Sequence, residues 1–265
     1  MVEKVILHIG LHKTGTTSVQ HYLRDTVDRL RREHDIAVYK PILHLRNGYV
    51  ANEVGIAIAR PGVFDAFPEH LVSAELRENF DKQAWYARIR DWMAELCETD
   101  PAHTLLVSGE NISWLRTPEE AARLRAMFPV PDDAIEIVLC LRDTDSWWVS
   151  YCNQMTKLSL TGTPGHNSQW HLDRDGWLTD FDGLIAALRT AFPTITLIEY
   201  GDAMVATFME AIGHPVDLDR EIRENRSGAR RPLLRRIRHA IVRGLSGTMV
   251  QRIWRRVTGR AGDRP

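Results

Sequence analysis

The chain has 265 residues, 44% hydrophobic and 26% charged, a balance that excludes global disorder and suits one large domain with a buried core. Its formal net charge of −1 conceals a split: the stretch 226–260 holds 11 arginines and no Asp, Glu or Lys, so taking that +11 out of −1 leaves −12 for the rest. The cysteines, Cys97, Cys140 and Cys152, have neither disulfide-framework nor metal spacing, which argues against a disulfide scaffold and for a reducing compartment.

Met1–Lys4 leads straight into an apolar stretch with no basic leader, and no apolar run reaches the roughly 20 residues of a membrane span. A cytoplasmic body is therefore expected. Val5–Ile9 reads as a buried strand stopped by Gly10, and after a turn Val19, Tyr22, Leu23, Val27 and Leu30 recur at helical spacing over Thr16–Arg32. Ile36–Tyr39 is a second strand and Asn52–Ile58 a short helix. Ser73–Cys97 carries a helical apolar pattern, as one long helix or two abutting ones. Thr104–Val107 is a strand running into Ser108-Gly109-Glu110-Asn111. Thr117-Pro118-Glu119-Glu120 opens a helix to about Phe128, with a capping residue followed by Pro. Ile135–Leu141 is the strongest strand, followed by a helix to Lys157. Leu158–Gly176 has no periodic face and reads as a loop of lid length. Leu178–Phe192 is helical, Thr194–Ile198 a strand and Asp202–Ile212 a helix.

Strands alternating with helices predict an α/β fold with a central parallel sheet flanked by helices. The expected organisation is an α/β domain over 1–225 and an Arg-rich helical extension over 226–265. The opening strand, loop and helix form a P-loop-like unit. Gly10 and Gly15 have the spacing of a triphosphate-binding loop, but Thr16 stands where that motif places its lysine, and the cation has moved to Lys13 at the loop tip. Such a loop suits a single 5′-phosphate, with a cation on a bridging oxygen, better than a polyphosphate chain.

His12-Lys13-Thr14-Gly15-Thr16-Thr17-Ser18, following a strand, resembles the 5′-phosphosulfate loop of sulfotransferases that use 3′-phosphoadenosine 5′-phosphosulfate (PAPS). The His-Lys-Thr-Gly-Thr-Thr variant resembles bacterial members of that family. The resemblance implies that Lys13, Thr14, Gly15, Thr16, Thr17 and Ser18 bind the donor, with Lys13 also acting on the leaving oxygen. Arg142, at the end of Ile135–Leu141, and Ser150 on the next helix resemble the family's 3′-phosphate element. Asn225-Arg226-Ser227-Gly228 is the candidate for a late stretch that closes over the cofactor, with Arg226 as a further ligand. The implied reaction is in-line sulfuryl transfer to an acceptor hydroxyl or amine, with adenosine 3′,5′-bisphosphate as product and no metal.

Transfer of this kind needs a general base. Glu110, just past a strand end on the rim where Lys13 and Arg142 converge, is the first candidate and His12 the rival; His8 within the strand reads as a core histidine. Glu110 has a structural alternative as a turn cap or an ion-pair partner of Lys13 or Arg142. Trp147, Trp148 and Tyr151 read as core. His166, Trp170 and His171 make the loop before Gly176 the candidate acceptor lid. The acceptor, whether small molecule, lipid or carbohydrate, stays open. Leu234, Ile237, Ile241, Val250, Ile253, Trp254 and Val257 recur at helical spacing among the tail arginines. A self-docked or solvated helix and a peripheral contact at the inner membrane surface both fit. Nucleic-acid binding is not expected, since the tail lacks interleaved stacking aromatics. A P-loop kinase or NTPase, or a non-catalytic nucleotide- or glycan-binding protein, are the alternative functions.

Overall fold

The computed structural model describes residues 1–42, 49–65, 78–157, 168–169 and 171–216. Five strands form one sheet in the order β2-β3-β1-β4-β5: β1 Lys4–Gly10, β2 Ile36–Val38, β3 Thr104–Ser108, β4 Ile135–Leu141 and β5 Thr194–Glu199. Every neighbouring pair is parallel. The α/β class and the parallel sheet follow the alternation in the sequence.

The sheet is buried on both faces, and the period-two geometry of the strands decides which side chain goes where. Val5, Leu7 and Ile9 of β1 join Leu105, Val107, Ile135, Ile137 and Leu139 in one core. Ile6, Leu106, Val138 and Cys140 enter the other. On the second face lie α1 (Thr16–His34) and a late helix over Met204–Ala211, through Val19, Leu23, Met204, Phe208 and Met209. The first face is covered by α2 (Asn52–Ile58), α3 (Lys82–Thr99), α4 (Pro118–Arg125), α5 (Thr144–Lys157) and α6 (Phe181–Arg189). The helix over Met204–Ala211 is α7.

Two helix starts, those of α6 and α7, differ from the periodicity. Ser73–Cys97 was expected as one long helix or two abutting ones; Glu78 is helical, the helix breaks, and α3 begins anew at Lys82, where the Asp81 side chain accepts from the amides of Gln83 and Ala84. The segment 66–77 lies outside the described residues. Leu178 belongs to a short 3₁₀ turn, Trp177–Thr179, and α6 starts after Asp180, whose carboxylate accepts from Gly183 N–H. α7 begins at Met204, two residues after Asp202. The Thr117 cap is observed with its full reciprocal box to Glu120. No helix among the described residues is long and apolar enough to cross a membrane. The extension 226–265 and the boundary at 225 lie outside the described residues.

Candidate active site

β1 lies between β3 and β4, so the loops leaving these three strands meet at one edge of the sheet, where open α/β sheets bind their ligands. After Gly10 the chain turns through Lys13 and Gly15, both in the left-handed backbone region at φ 67 and 76, and enters α1. Gly10 is required by proximity, since a Cβ there would stand 2.2 Å from Thr16 Oγ1. Gly15 is required by its φ and by Met204, whose Cγ would lie 2.8 Å from an added Cβ.

Five of the predicted donor ligands divide into two sets. Thr14 and Thr16 are buried, and both hydroxyls turn inward to the Leu11 carbonyl, at 2.7 and 3.2 Å. They build the loop, and what they offer a ligand is their backbone. Thr17 and Ser18 are exposed on the first turn of α1, and Lys13 is half-buried at the tip. The Ser18 amide donates to the Gly15 carbonyl at 2.9 Å, and the first-turn amides ahead of it, which precede the first intrahelical bonds, form with the loop an anion cradle.

Arg142 brings the second predicted element to the first. Its Nη1 donates to the Lys13 carbonyl at 2.9 Å, its Nε donates to Ser146 Oγ at 3.0 Å, and its guanidinium carbon lies 4.5 Å from the Tyr200 ring centroid. Arg142 does not pair with the neighbouring Asp143, whose carboxylate accepts from the Ser146 amide. Arg142, Asp143, Asp145, Ser146, Val149, Ser150 and Asn153 line an open depression of about 600 Å³ along α5. Tyr200, 43% exposed beside this edge, was not singled out by the sequence. Its only signal was its place directly after β5.

Glu110 opens a 3₁₀ turn, Glu110–Trp114, at the end of β3. Its carboxylate lies 3.4 Å from His12 Nδ1, an ion-pair distance without hydrogen-bond geometry, so the partner is His12 and neither Lys13 nor Arg142. Burial opposes ionisation of Glu110, but the charges of His12, Lys13 and His8 outweigh it and hold its pKa below the ordinary value. The His12 ring stacks near Trp114 at 5.6 Å and tilts against Tyr151 at 5.9 Å. His8 is buried in β1. Its Nδ1 bonds Ser108 Oγ at 2.8 Å, and burial drives its pKa down to about 4. As expected, Trp147 and Tyr151 are buried, while Trp148 is half-buried. Arg226, His166 and Trp170 lie outside the described residues. Among the described residues no group of three or more His, Cys, Asp or Glu could hold a metal ion.

No family model matches the chain, and no curated protein matches it. Among solved structures it is similar to a sulfotransferase from Alicyclobacillus acidocaldarius, with a TM-score of 0.46 and 13% identity over 80% of this chain and 82% of that one. It is also similar to a gluconokinase from Sinorhizobium meliloti 1021, with a TM-score of 0.32 and 13% identity over 85% and 97% of the two chains. The two carry different chemistries, and at these values neither assigns a substrate to this chain.

Proposed function

We propose that the chain is a PAPS-dependent sulfotransferase acting on a hydroxyl or amine of a small-molecule, lipid or carbohydrate acceptor. The observation that carries this reading is the bond from Arg142 to the Lys13 carbonyl. It joins the loop suited to a 5′-phosphate to an arginine suited to a second phosphate, across adjacent strands. The buried Thr16, standing where a triphosphate loop needs a lysine, supports the same choice.

The donor would supply the sulfuryl group and a bisphosphate leaving group. The residues present fit it: Lys13, Thr17, Ser18 and the loop amides face its 5′ end, and Arg142 with Ser150 its 3′-phosphate. Lys13 and the amides stabilise negative charge growing on the bridging oxygen, a role worth about 3–4 kcal/mol per well-placed donor. Glu110, kept ionised by its basic neighbours, takes the acceptor's proton, with the His12 ring 3.4 Å from its carboxylate. The arginines of 226–260 serve as a contact for an anionic surface.

Calorimetric titration with adenosine 3′,5′-bisphosphate and, separately, with ATP and Mg²⁺ tests the donor, and transfer of labelled sulfate from PAPS across phenolic, lipid and carbohydrate acceptors tests the reaction. Bisphosphate binding with transfer to one acceptor class is expected. ATP binding without bisphosphate binding would make the chain a P-loop kinase or NTPase. Bisphosphate binding without transfer to any class would make it a binding protein.

A further inference from the structure

Trp147 read as core from the sequence, and it is 2% exposed. Its indole N–H nevertheless donates to the His12 carbonyl at 2.5 Å, reaching across 135 positions of sequence. The next carbonyl, that of Lys13, accepts from Arg142 at 2.9 Å. The one after, that of Thr14, accepts from Cys140 Sγ at 3.6 Å. Three successive loop carbonyls are thus held by the end of β4 and the first turn of α5.

From this pattern we infer that Trp147 is a positioning residue, which aims the loop amides at the 5′-phosphate of the donor. In a trans peptide the C=O of one residue and the N–H of the next point in opposite directions across a rigid plane, and the described chain has no cis bonds. Holding the carbonyls of His12, Lys13 and Thr14 toward β4 and α5 turns the amides of Lys13, Thr14 and Gly15 away from them. The left-handed backbone at Lys13 and Gly15 belongs to the kind of turn that gathers successive N–H groups around an anion.

Of the three donors, Cys140 is a weak one, and Arg142 also faces the ligand. Trp147 is a strong donor with no exposed surface of its own. Its ring cannot swing, because it stacks on Tyr151 at 4.8 Å and 13° and meets Phe181 edge-on at 5.4 Å. It acts through the backbone and touches no substrate.

The inference rests on reading the loop as a 5′-phosphate site, and its test separates the two. Two changes remove the N–H: Trp147→Phe, and replacement of Trp147 by benzothienylalanine, which keeps the bicyclic ring. Titrations are run with adenosine 3′,5′-bisphosphate and with adenosine 3′-monophosphate, which reports on the Arg142 side alone. Both variants should bind the bisphosphate about tenfold more weakly than the parent, as befits a hydrogen bond lost behind a charged ligand. Both should bind the 3′-monophosphate as the parent does, which also shows that they are folded. Equal loss of both ligands, or loss of neither, in the benzothienylalanine protein would leave Trp147 as core and overturn the inference alone. A parent protein that binds the two ligands equally would overturn the 5′-phosphate reading, and the inference with it.

Discussion

His12, Lys13 and Glu110 sit within one patch of charge, and their roles separate by pH. The net effect of the neighbours holds the Glu110 pKa below its ordinary value despite burial. A base of this kind is fully active above that pKa and loses activity as pH falls through it. Glu110→Gln should therefore cost about 10²–10⁴ in turnover and abolish an acid limb lying below the ordinary carboxylate range, as read from kcat against pH with a non-titrating acceptor. Near-parent turnover in Glu110→Gln, with turnover lost in His12→Gln, would move the role to His12. His8 gives stability a pH dependence of the same direction. Burial lowers its pKa to about 4 in the fold, against about 6.5 in the unfolded chain. The unfolded chain thus takes up its proton first, and stability is complete above pH 6.5 and declines as pH falls toward 4. At pH 5 the deficit from this group is roughly 2 kcal/mol. Urea unfolding at pH 7.5 and pH 5 should show a smaller drop for His8→Gln than for the parent; an identical drop would remove His8 from the account.

Among the elements, the phosphate loop and its two glycines set the tightest constraint. Gly15→Ala would place a Cβ against Met204 and hold an alanine at φ 76, a backbone penalty of about 1–2 kcal/mol before any steric cost. It should lower the melting temperature and weaken bisphosphate binding together. Glu120 makes an independent test away from the site. It is fully buried and accepts from the amides of Arg60, Arg116 and Thr117 and from the Arg60 guanidinium. Glu120→Ala leaves that guanidinium and three amides without their acceptor, and should cost about 3–5 kcal/mol in denaturant unfolding. Bisphosphate affinity in the surviving folded fraction should be unchanged. Legibility differed between such elements for physical reasons. Ile135–Leu141 was readable to the residue because a strand buried on both faces is nearly all apolar, and here Glu136, near the start, is the one polar residue in it. The start of α6 was misplaced because apolar spacing begins ahead of the aspartate that caps it. In the loop, the glycines and the displaced lysine were visible as local chemistry. The bonds from Trp147, Arg142 and Cys140 were not, since they join residues more than a hundred positions apart and leave no periodic trace.

At the scale of the whole molecule, a net charge of −1 would suggest indifference to charged surfaces, and the distribution says otherwise. Eleven arginines lie within 226–260 without an acidic residue, against −12 for the remainder. An anionic bilayer would attract the first set and repel the second. A basic residue near such a surface is worth about 1 kcal/mol, so three engaged arginines give roughly 3 kcal/mol, on the order of a hundredfold in partitioning. Repulsion from the acidic remainder is screened over about 10 Å at 0.1 M salt, so it is felt only by charges close to the membrane. The full chain should therefore sediment with vesicles of phosphatidylserine and phosphatidylcholine and stay in the supernatant with phosphatidylcholine alone. Raising salt to about 1 M, where screening shortens to about 3 Å, should release it. The chain lacking residues 226–265, and with them all eleven of these arginines, should not sediment with either vesicle. If it sediments as the full chain does, the surface contact belongs to another part of the protein, and the arginines of 226–260 lose their proposed role.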